Sequence, residues 1–236
     1  MTMWTSPLAV LGLGFVLGLR HALDVDHLAA VSTIVSERRS LWRSTLVGIV
    51  WGIGHTTSLL AVAIIVIGLR TDIPPIVADV LELGVAAMLI GLGVRLLHTV
   101  VRSAAVHAHP HAHDGHAHVH PHVHVRDVAV HDHGPGHRRP FLVGLAHGVA
   151  GSGGLMLMVA ATIPDPLLAV AYVAIFGFGS IGGMAVTSTL FAIPSLVTAG
   201  RFDGADRWIR TGAALTSVAV GMQLAWTIAR EAGFFA

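Results

Sequence analysis

Apolar residues run almost unbroken through six stretches of this chain, at about 7–34, 44–69, 76–98, 141–163, 166–193 and 211–229. About 20 helical residues cross the ~30 Å of bilayer hydrocarbon, and each run is close to that length or longer. Hydrocarbon offers the backbone no hydrogen-bond partner, so such runs must be helical. The pattern predicts an all-α polytopic membrane protein of about six transmembrane helices. Pro164, Asp165 and Pro166 mark a short turn between the fourth and fifth runs, and Thr and Gln dilute the sixth. No basic residue precedes the first run, which carries Arg20, His21, Asp24, Asp26 and His27. It reads as a retained helix and not as a signal-peptide core.

The composition agrees: 54% of residues are hydrophobic and 11% charged, where a soluble domain spends about a quarter on charge. Cys is absent, which excludes disulfides, thiolate metal sites and thiol chemistry. Gly177-Phe178-Gly179-Ser180-Ile181-Gly182 matches a dinucleotide fingerprint by letter, yet it sits in a span with no preceding strand and no acidic partner downstream. No Walker, HExxH or GxSxG motif is present, so neither nucleotide hydrolysis nor another enzymatic role can be placed on the chain. Nothing points to nucleic acid.

All 14 basic residues are Arg. Arg38, Arg39 and Arg43 follow the first run, Arg102, Arg126, Arg138 and Arg139 lie between the third and fourth, and Arg201, Arg207 and Arg210 lie between the fifth and sixth. The opposite connections hold only Arg70 and Arg230. The positive-inside rule then puts both termini outside the cell membrane and the central loop in the cytoplasm.

The two halves resemble each other. Gly18-Leu19-Arg20-His21 matches Gly144-Leu145-Ala146-His147 at an offset of 126, and Trp51-Gly52-Ile53-Gly54-His55 matches Phe176-Gly177-Phe178-Gly179-Ser180 at 125. Gly84 and Gly93 match Gly212 and Gly221 at 128. Three helices per half invert the second copy, which is a transporter signature. The expected division is a first three-helix repeat at 1–98, a His-rich loop at 99–139 and a second repeat at 140–236.

The chemistry concentrates in Arg20-His21-Ala22-Leu23-Asp24-Val25-Asp26-His27, with five ionisable groups in eight residues. Each charge at a bilayer centre costs about 2.5–3.5 kcal/mol, so the cluster needs a compensating partner. On one continuous helix, His21, Asp24 and His27 share an arc of about 120°, Arg20 sits beside Asp24 as an ion pair, and Asp26 points elsewhere. Imidazole with carboxylate suits nickel, cobalt and zinc. His55, beside Gly54 and Thr56, and His147, ahead of Gly148 and Ser152, are further intramembrane candidates. Thr56 and Ser152 are read as supporting residues. Under the repeat, His21 and His147 face each other across a pseudo-two-fold axis.

The loop holds 12 of the 17 histidines: His107, His109, His111, His113, His116, His118, His120, His122, His124, His131, His133 and His137. Its composition predicts disorder without metal. Many imidazoles bind divalent cations with little selectivity, zinc included, so a metal buffer or delivery arm is expected, with a dispensable linker as the alternative.

The segment from His21 to His27 resembles the nickel/cobalt transporter family, whose hallmark helix reads His-Ala-(Val or Phe)-Asp-Ala-Asp-His. All four polar positions match, and Leu23 and Val25 replace two apolar ones. Gly52-Ile53-Gly54-His55-Thr56 and His147-Gly148-Val149-Ala150-Gly151-Ser152-Gly153 are similar to a shorter, six-helix branch that includes urease-accessory nickel permeases. The resemblance implies His21, Asp24, Asp26 and His27 as metal-handling residues. It also implies a secondary carrier of nickel or cobalt in the inner membrane, uptake favoured, that needs no bound cofactor. Partners beyond the metal and the bilayer would be a metallochaperone or urease or hydrogenase maturation proteins. An exporter, a membrane metalloenzyme and a non-transporting metal-delivery protein are the competing classes.

Overall fold

The computed structural model describes residues 6–38, 40–71, 73–103, 107–113, 116–122, 138–149, 156, 159–198 and 202–232. Its architecture is helical: α1 (Pro7–His21), α2 (Val25–Val35), α3 (Leu41–Leu69), α4 (Pro75–Ser103), α5 (Arg138–Val149), α6 (Pro166–Thr198) and α7 (Asp203–Glu231). Pro7, Pro75 and Pro166 each open a helix, where the missing N–H is no loss and the fixed φ suits the first turn. By length and apolarity α3, α4, α6 and α7 can each cross a membrane, and α1 with α2 forms a fifth, broken span. The protein is therefore a multi-pass membrane protein. Large apolar side chains such as Phe178, Ile65 and Leu190 lie exposed on the outer helix faces, as a lipid solvent requires.

One span differs from the sequence expectation. The run 7–34 is not one helix: α1 and α2 meet at a bend of 55°. No Gly or Pro marks the break. Asp24 adopts an extended conformation with ψ 146°, so the helical phase of α1 does not carry into α2. Within the run expected at 141–163, the described residues are helical to Val149 as α5, and again at Met156 and residues 159–161.

The departure from an all-helical chain lies within the His-rich stretch. There β1 (His107–His113) and β2 (His116–His122) pair antiparallel, with His107 opposite His122 and His113 opposite His116. His-x-His alternation has the period of a strand, not of a helix.

The helices pack in a criss-cross: α1 on α6, α5 and α6 on α3, and α4 on α7. Glycines permit the approach, because small residues let backbones come close where no hydrophobic effect drives helices together. A Cβ on Gly18 would collide with the Phe176 carbonyl, and one on Gly179 with the Phe15 carbonyl. A Cβ on Gly144 would meet the Trp51 carbonyl, and one on Gly54 the Phe141 carbonyl. Gly93 and Gly221 stand likewise against the carbonyls of Ala214 and Ala86. Apolar clusters close the bundle on both sides of its middle, one around Tyr172, Phe176 and Leu59, the other around Trp51, Val31 and Leu89.

Candidate metal centre

His21 ends α1, Asp24 lies in the break, and Asp26 and His27 sit in the first turn of α2. His55 is midway along α3, and His147 is in the last turn of α5. The break lets these elements converge, since a straight helix would hold His21 and His27 about 9 Å apart along one axis. Here their ring centroids are 4.5 Å apart. His27 is the hub, with ring centroids at 4.2 Å to His147 and 5.1 Å to His55. All four imidazoles are buried, and His27 is 0% exposed.

The carboxylates orient the rings. His21 Nδ1 lies 2.9 Å from Asp24 Oδ2. Asp26 takes two rings at once, with Oδ1 3.1 Å from His27 Nδ1 and Oδ2 2.9 Å from His147 Nε2. A carboxylate only accepts, so each of these nitrogens carries the proton and donates. The other nitrogen of each ring is thereby left as a lone pair: Nε2 of His21, Nε2 of His27 and Nδ1 of His147. This is the arrangement in which a carboxylate fixes the tautomer of a metal-binding histidine and raises its basicity. His21 Nε2 also lies 3.0 Å from His55 Nε2, so His55 donates there until a cation takes the lone pair.

Three ring nitrogens, His27 Nε2, His55 Nδ1 and His147 Nδ1, are buried without a hydrogen-bond partner. Each such atom costs about 1–3 kcal/mol, so the cluster has unmet demand for a ligand. Two sets of donor atoms lie within 4.8 Å of one another: His21, His27 and His55, and Asp26, His27 and His147. Borderline nitrogen donors with carboxylate support suit nickel, cobalt or zinc, while magnesium and calcium prefer all-oxygen sites.

The structure thus brings together His21, Asp24, Asp26, His27, His55 and His147. Asp26, expected to point elsewhere, instead bridges two imidazoles, because the break at Asp24 resets the phase of α2. The Arg20–Asp24 ion pair is not formed among the described residues: Arg20 is exposed, and the Asp24 carboxylate is taken by His21. Thr56 supports packing, with its Oγ1 donating to the Gly177 carbonyl at 3.2 Å. Ser152, His124, His131, His133 and His137 lie outside the described residues.

Two aromatic walls were not singled out from sequence as site residues. Trp51 stacks on His27 with centroids 5.7 Å apart at 19°, and Phe176 packs 5.2 Å from His21. Their signal was present in the repeat, where Trp51 and Phe176 occupy matching positions.

No family model matches the chain, and no solved structure matches it. It is 33% identical over 193 residues to the urease accessory protein UreH of Bacillus sp. (strain TB-90), covering 81% of this chain and 80% of that one. With that likeness over most of both chains, and with its His-Ala-x-Asp-x-Asp-His segment at the centre of the imidazole cluster, the chain belongs to the nickel/cobalt transporter superfamily, in the branch of the urease accessory permeases.

Proposed function

We propose that the protein is a secondary permease for divalent transition-metal cations, nickel or cobalt, working by uptake. The observation that carries this reading is the ring of four buried imidazoles, oriented by Asp24 and Asp26, at mid-length of the bundle. A cation there would exchange part of its hydration shell for lone pairs that otherwise have no partner. Inward movement of a 2+ ion across 100 mV releases about 4.6 kcal/mol, so uptake needs no nucleotide.

The helix contacts support an arrangement of six spans as a 3+3 inverted repeat. Gly18 against the Phe176 carbonyl becomes, on shifting each residue to its counterpart, Gly144 against the Trp51 carbonyl. In the same way Gly179 against Phe15 becomes Gly54 against Phe141, and Gly93 against Ala214 becomes Gly221 against Ala86. Reciprocity of this kind is what a two-fold axis between the halves produces. In this reading both termini lie outside an inner membrane, and the His-rich segment is a cytoplasmic buffer that also takes zinc. The named role of UreH suggests urease maturation as the destination of the metal.

Radiolabelled nickel and cobalt accumulation in cells with and without the protein tests the reading. His27→Ala and Asp26→Ala should abolish accumulation while membrane insertion is retained. Normal accumulation by both variants would discard it. A metal-delivery protein without flux would lose its function on deletion of 104–137, whereas a permease should keep transporting.

A further inference from the structure

One cavity of about 230 Å³ lies apart from the imidazole cluster, between α2, α4 and α5. Thr33 and Ile34 line it from α2, Pro140 and Val143 from α5, and Leu96 from α4. These residues stand in register with the metal centre. Thr33 and Ile34 follow Asp26 and His27 by seven residues each, two turns along the same face of α2. Val143 and Pro140 precede His147 by four and seven residues on one face of α5. At 1.5 Å per residue, Val143 is about 6 Å from His147 along the axis, and Thr33 is about 10 Å from Asp26. The two helices that meet at the Asp26–His147 contact therefore both line the cavity.

The rim is polar. Glu37, Arg38, Arg95 and Arg139 surround it, and Arg95 lies 3.8 Å from Glu37. This is the Arg-rich end of the bundle, where α4 leads into the His-rich segment and α5 leads out of it. The guanidinium of Arg95 is more than half exposed, so its repulsion of a cation is screened by salt, and the Glu37 carboxylate offsets part of it.

We propose that this cavity is the inner vestibule of the ion path, joining the Asp26–His27–His147 side of the metal centre to the Arg-rich face. Val143 forms its floor, one turn from His147. The inference rests on the permease reading above.

Because the chain has no cysteine, single Cys probes can be read without background. Val143→Cys and Thr33→Cys, on separate helices, would be treated in sealed vesicles with a membrane-impermeant thiol reagent from each side. Leu190→Cys, on an exposed apolar face, is the lipid-facing control. Both vestibule probes should react at least tenfold faster than the control, only from the Arg-rich face. Nickel should slow the reaction at Val143→Cys several-fold, and full modification should block nickel flux. Probes that stay unreactive from that face, or flux unchanged after full modification, would overturn the vestibule while wild-type vesicles still carry nickel. Wild-type vesicles that carry no nickel would instead overturn the permease reading itself.

Discussion

Asp26 ties two imidazoles with two oxygens, whereas Asp24 ties one. In Asp26→Asn one of those oxygens becomes an NH2 that donates and cannot accept, so the ring facing it loses its acceptor. One ring must then turn its lone pair away from the centre. Loss of a carboxylate that orients a ligand typically costs 10–100-fold in metal affinity. We predict about that loss of nickel affinity for Asp26→Asn and a smaller one for Asp24→Asn, measured by equilibrium dialysis of purified protein lacking 104–137. A larger effect at Asp24 would contradict the assignment. Arg20→Ala should leave affinity unchanged, because Arg20 is exposed and has no ion pair with Asp24 among the described residues. The identity of these residues was legible in the sequence because ionisable groups in an apolar run carry a cost that demands a reason. The direction of Asp26 was not legible, since it depends on the extended backbone at Asp24, which no Gly or Pro announces.

Helix positions and contacts differ in the same way. Continuous apolar runs revealed α3, α4, α6 and α7, because length and hydropathy suffice for a straight span. The α1–α2 break escaped, because apolar composition is the same on either side of a bend. The glycines separate into two groups with different predicted behaviour. At Gly18 and Gly144 an added Cβ runs into the backbone of a neighbouring helix, so Gly18→Val and Gly144→Val should each destabilise by roughly 3 kcal/mol or more, as overpacking against backbone does. At Gly84 a Cβ meets nothing within 4 Å, and Gly84→Ala should be neutral or stabilising by up to about 1 kcal/mol. Thermal unfolding in detergent compares them, and similar melting of Gly18→Val and wild type would contradict the close packing. Arg70 ends α3 at φ 50°, a left-handed conformation that favours glycine. Arg70→Gly should therefore stabilise by about 1 kcal/mol in the same assay.

Across the whole molecule, the criss-cross of α1 on α6 and α5 on α3 places residues from both halves around one buried centre. His21, Asp24, Asp26, His27 and His55 come from the first half and His147 from the second. A rocking motion of one half against the other would change the spacing between His147 and the remaining ligands, which is what release of a held cation requires. The His-rich segment lies outside this arrangement in sequence, so its deletion should leave nickel flux in vesicles intact and reduce only the amount of metal retained per protein. Loss of flux on deletion would make that segment part of the path. If buried imidazoles grip the cation within the bundle, X-ray absorption at the nickel edge reads them directly. On nickel-loaded protein lacking 104–137, we expect nitrogen neighbours with outer-shell scattering from at least three imidazole rings, lost in His27→Ala. A shell of oxygen alone, without imidazole scattering, would contradict it.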